Sequence, residues 1–133
     1  MAESFEAGRL RRVHAGPVAI ECGPSLVVVR AVEIYPAGTV VTWTCSPAAS
    51  EIARLAQGTP RVGIRLSDGL DTAYGPLGES LQGGGRTIFG ASFFGAAPPH
   101  GTTELVIAAD VTGALGGGLV MHGHAAFPLA APG

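Results

Sequence analysis

Apolar side chains recur at every second position in short runs along most of the chain, and Gly or Pro interrupts nearly every gap between runs. Period-two alternation turns one face of a strand inward and the other outward. Over 17–22 the inward set is Val18, Ile20 and Cys22. Gly23-Pro24 breaks the run, and residues 25–35 are a long β-branched stretch. Pro36-Ala37-Gly38 has turn chemistry. Val41, Trp43 and Cys45 then share one face, with Val40, Thr42 and Thr44 on the other, so 25–45 predicts a β-hairpin.

Further strands are predicted over 61–67, with Val62, Ile64 and Leu66 inward, and over 70–74, with Leu70, Thr72 and Tyr74 on one face. Asp68-Gly69 between them suits a two-residue hairpin turn. Three more follow: 86–94, with Ile88 and Phe94 on one side and Phe89 and Phe93 on the other; 102–109, through Leu105 and Ile107; and 119–127. Segments 75–85, 96–101 and 113–118 predict loops. One stretch reads as a helix. Ser46 caps it, Pro47 suits its first position, Gly58 follows its end, and Ile52, Leu55 and Ala56 form a stripe. These elements predict an all-β, immunoglobulin-like β-sandwich of about 7–8 strands with one short connecting helix at 47–57. A closed barrel is the alternative architecture. The expected organisation is a flexible arm over 1–12, one sandwich domain over 13–129 and a tail over 130–133.

Composition narrows the function classes. The 21 Gly and 10 Pro are offset by 47% hydrophobic residues, which predicts a folded chain. Only 14% of residues are charged, against about 25% in an average domain. There is no Lys, and the net charge is −2. A surface covered by Gly, Ala, Ser, Thr and Pro is weakly solvated and prone to association. The same composition also follows from a GC-rich genome. The Arg residues are scattered, apart from Arg9, Arg11 and Arg12 beside Glu3 and Glu6, so nucleic acid is not an expected partner. No run is long and apolar enough for a membrane-spanning helix, and membrane insertion is not expected. The first residues, MAESFEAGRLRR, lack the apolar core of a secretory signal, which predicts a cytoplasmic protein with Cys22 and Cys45 as buried thiols.

Candidate chemistry is sparse, and no cofactor is expected. His122 and His124, two apart in a strand, share a face and form a possible metal pair, with His14, His100, Asp68 or Asp71 completing the set. The alternative is a solvated outer face. Residues 78–87 outline a phosphate loop, but Arg86 stands where Lys belongs, and a strand follows where a helix is needed. Asp68 and Asp71 lack the alternating carboxylates of a calcium loop. Trp43 shares its face with Val41 and Cys45 and reads as core. Tyr35, Tyr74, Arg86 and His100, on or beside the loops at 75–85 and 96–101, are candidate ligand-binding residues.

The stretch Asp68-Gly69-Leu70-Asp71-Thr72-Ala73-Tyr74, the glycines at 83–85, and Phe93-Phe94 ahead of Pro98-Pro99 resemble a group of small uncharacterised actinobacterial proteins. That group carries an Asp-Asp-x-Gly-Thr-x-Tyr pattern, a poly-Gly loop and an aromatic strand ending in Pro. Gly69 and Asp71 exchange two of those positions here. The resemblance covers about residues 25–109. It implies a β-sandwich in a bacterial cytosol and carries no site over.

The leading expectation is a non-catalytic β-sandwich acting through protein–protein interaction or self-assembly, with a protein partner or a homo-oligomer. Its contacts are expected near Val27, Val29 and Val40 and along the edge of the last strand. The alternatives are a small-ligand or carbohydrate-binding module, and a metal-dependent enzyme built on His122 and His124.

Overall fold

A computed structural model describes residues 12–23, 25–46, 61–84, 87–112 and 120–129. Eight strands account for most of them: β1 (Arg12–Cys22), β2 (Ser25–Tyr35), β3 (Gly38–Ser46), β4 (Arg61–Ser67), β5 (Pro76–Gly84), β6 (Thr87–Phe94), β7 (Glu104–Thr112) and β8 (Val120–Pro128). They form two antiparallel sheets rather than one closed barrel, in the orders β1-β2-β3-β6-β5 and β4-β7-β8. No helix occurs among the described residues. The expected helix at 47–57, the arm up to residue 11, Arg86 and the tail lie outside them.

One apolar core lies between the sheets. The five-stranded sheet supplies Ile20, Val27, Val29, Val32, Ile34, Val41, Trp43, Ile88 and Phe94, and the other supplies Val62, Ile64, Leu105, Ile107, Val111 and Phe127. Val29 and Val32, three apart, are both fully buried, which strict alternation forbids. A bulge at Arg30 takes up the extra residue and returns the run to its inward phase. A second bulge at Gly16-Pro17 lies beside it in β1. There the carbonyl oxygen of Val29 occupies the space a side chain at position 16 would fill, so Gly is required. Val27, Val29 and Val40 are therefore interior residues, not the contact surface expected of them. β1 begins at Arg12, the last residue of the expected arm.

Two strand assignments are corrected. Residues 70–74 are not a strand, and most of the expected loop at 75–85 is β5, an edge strand paired to β6. Asp68-Gly69 does not close a hairpin. β4 pairs with β7 in one sheet and β5 with β6 in the other, so the chain crosses between sheets here. The crossing is held by Asp68. Its Oδ1 accepts the Leu70 N–H at 2.8 Å, and its Oδ2 accepts the Tyr74 hydroxyl at 2.7 Å. Gly69, at φ 78°, supplies the left-handed backbone that this bend needs.

The flanks differ. On one side β8 lies against β1. A side chain at Gly123 would strike the carbonyl oxygen of Glu21, and Met121 packs under Gly23. Gly123 stands opposite the buried Ala109, so it is the inward face of β8 that meets β1 there. On the other side β4 and β5 end their sheets.

Candidate functional site

Three places collect the side chains able to recognise something. The first is a cavity of about 410 Å³ at the end of the molecule where the β2–β3 turn meets the β6–β7 loop. Ile34, Tyr35, Pro36, Ala97 and Pro98 line it, and Arg12 and His100 add a guanidinium and an imidazole to the lining. Tyr35 and His100, proposed together from the sequence, do meet here. Arg12 joins them because β1 pairs Arg12 with Ile34. The Tyr35 hydroxyl donates to Glu33 Oε1 at 3.0 Å. Burial and the Glu33 carboxylate together hold its pKa above the usual phenol value. The loop wall is tied down: the buried Thr39 hydroxyl donates to Ala96 O at 2.7 Å, and the Thr102 hydroxyl and N–H donate to Pro99 O at 2.6 and 3.0 Å. His14 shares the inward face of β1 with Arg12. Burial and the Arg12 charge lower its pKa, and its buried Nε2 has no hydrogen-bond partner.

Tyr74 does not belong to this cavity. It packs against the core, and burial and its bond to Asp68 hold its pKa far above the usual value. Asp68 is desolvated, yet bonds from Thr72, Tyr74 and the Leu70 N–H outweigh that and lower its pKa. The Asp-Gly-Leu-Asp-Thr-Ala-Tyr stretch is thus a clamp on a crossing loop, and both Asp68 oxygens are engaged.

The second place is the outer face of the three-stranded sheet. Asp110 on β7 stands across from His122 on β8. His122 Nδ1 lies 2.6 Å from Asp110 Oδ1, and Arg65 grips the same carboxylate through Nε and Nη2 at 3.2 and 3.1 Å. Burial opposes ionisation of Asp110, but these bonds prevail and its pKa is lowered. His124 faces outward beside this row. Among the described residues no three His, Cys, Asp or Glu side chains gather as a metal site would require. His100 lines the far cavity and His14 shares a face of β1 with Arg12, so neither joins His122. The arrangement is an exposed ion-pair row of small energetic weight. Asp110 was missed in the sequence, although a hairpin symmetric about residue 116 places it opposite His122.

The third place is the open flank. A cleft of about 470 Å³ runs between Gly63 and Ile64 of β4 and Pro76, Leu77 and Glu79 of β5. Three strands cannot cover five, so Leu81, on the inward side of β5, remains 46% exposed, and Leu77 is 62% exposed.

The chain is an all-β protein of two antiparallel sheets. Its fold is similar to that of a conserved domain protein from Bacillus anthracis, with a TM-score of 0.67 and 13% identity over 90% of this chain and 50% of that one. The chain thus spans half the length of that protein, and the likeness is one of fold alone. No family model matches the chain, and no curated protein does.

Proposed function

We propose that this chain is a non-catalytic, immunoglobulin-like β-sandwich protein that acts by association, and that its partner is a second copy joined along β5. Strand order supports the sandwich type. With β1 set aside, β2-β3-β6-β5 and β8-β7-β4 follow the ABED and GFC order of a constant-type immunoglobulin sandwich. β1 then extends the first sheet beyond β2.

One observation carries the association: β5 is an edge strand that leaves large apolar side chains exposed. Nothing among the described residues pairs with its outer side, Leu77 and Leu81 are exposed on it, and Glu79 is its only charge. Monomeric proteins blunt such an edge with Lys, Pro, bulges or inward-pointing charge. β4, on the same flank, carries Arg61 and Arg65; β5 has Pro76, an irregularity between Pro76 and Gly78, and Glu79 on the side of Leu81, but no Lys or Arg. A two-fold antiparallel pairing centred on Ser80 sets Glu79 opposite Leu81 of the other copy. No like charges then face each other directly, and both Leu81 side chains fall on one side of the joined sheet.

The test is a Ser80→Cys variant oxidised in solution. Cys22 and Cys45 are fully buried and do not compete. Directly opposed residues of paired strands stand about 4.5–5.5 Å apart, within reach of a disulfide. The proposal expects a covalent dimer from Ser80→Cys and none from Ser67→Cys on β4. No dimer, or equal cross-linking by both variants, overturns it.

A further inference from the structure

We infer that the end cavity binds a small carboxylate with an apolar body, and that Arg12 holds the carboxylate. The volume, about 410 Å³, is that of a small-molecule site. Among the described residues no acidic side chain lines it and none forms an ion pair with Arg12. A guanidinium presents a planar set of donors that matches a carboxylate in two-point fashion. The nearby acid, Glu33, accepts from the Tyr35 hydroxyl at 3.0 Å. His100 adds an imidazole from the facing loop.

The walls select the rest of the ligand. Ile34, Pro36, Ala97 and Pro98 are apolar, and a bare inorganic anion would leave them without contact. A ring or branched hydrocarbon would fill the space between them. The walls are also preformed: Thr39 and Thr102 fasten the 96–101 loop, and Gly101, at φ 89°, takes the turn beside His100. Binding therefore incurs little ordering cost. The orphaned His14 Nε2, on the same strand face as Arg12, leaves one buried polar atom at this end of the molecule that the protein does not satisfy. The cavity shares no lining residue with the β4/β5 cleft, so this inference stands apart from the association proposed above.

The test is a titration of the full chain with benzoate, followed in amide ¹H–¹⁵N spectra, with benzamide as the neutral isostere. The expected result is saturable shifts at Ile34, Tyr35 and Ala97, with benzamide and the Arg12→Gln variant each weaker by about tenfold or more. Undisplaced β7 and β8 signals verify the fold of that variant, and His100→Ala is an independent second variant expected to weaken benzoate several-fold. An acetylated tetrapeptide ending in a free Phe carboxylate separates two sources. Tighter binding than benzoate assigns the carboxylate to a chain terminus, and weaker binding assigns it to a free small acid; both support the site. Unsaturable shifts, equal binding of benzamide, or an Arg12→Gln variant that binds like wild type overturn it. Inorganic phosphate binding as tightly as benzoate overturns it too.

Discussion

Gly90 stands directly across from Trp43, and a methyl group there would run into Cζ2, Cε2 and Cη2 of the indole. The ring lies flat over a backbone that has no side chain, and its N–H donates to Ser92 Oγ at 3.0 Å in the interior. Gly90→Ala is expected to lower the unfolding free energy by about 1–3 kcal/mol, the usual cost of overpacking, as read from urea denaturation. Gly63→Ala is the control. Nothing lies within 4 Å of its added methyl, so it is expected to shift stability by less than about 1 kcal/mol. The two thiols give a second prediction at this scale. Cys22 and Cys45 are fully buried on the same sheet, two strands apart, and unpaired. Burial raises both, and Cys45 reaches about 11. Since the thiolate is the nucleophile, the native protein is expected to react with a disulfide reagent only as fast as it unfolds, and fully in denaturant. Prompt native labelling would contradict this.

At the scale of elements, the Arg65–Asp110–His122 row joins all three strands of the smaller sheet. Asp110 and Asp68 both have lowered pKa values. A carboxyl whose pKa is depressed on folding contributes stability that is full above its unfolded value and is lost as pH falls through the folded value. The thermal midpoint is therefore expected to fall as pH drops below about 4, and Asp110→Asn is expected to make that fall shallower. The strand assignments show what the sequence could convey. β2, β3, β4, β6, β7 and β8 were legible because one covered face imposes alternation on each. β5 was not, since an edge strand lying beyond the opposite sheet has no covered face to impose it. Residues 70–74 misled for the complementary reason: Tyr74 turns inward because Asp68 holds its hydroxyl, not because a ladder sets its phase. The cavity was half legible. Tyr35 and His100 stood out as aromatic and loop residues, but Arg12 belongs with them only through the pairing of β1 with β2, which no local pattern encodes.

For the whole molecule, the low charge acquires a location. Four of the exposed large apolar side chains, Leu70, Leu77, Leu81 and Phe89, fall in or beside the stretch that contains β5 and the start of β6, while the opposite flank is closed by β8 against β1. An uneven pairing of five strands with three leaves one inward apolar edge uncovered, and association along β5 is the economical way to cover it. Sedimentation velocity over a range of concentrations tests this most directly, with the wild-type chain run beside Leu81→Lys, which places a charge on the edge without touching the core. The account predicts a concentration-dependent dimer for the wild type and a monomer for Leu81→Lys. A wild-type chain that stays monomeric at high concentration, or a dimer that Leu81→Lys leaves intact, would contradict it.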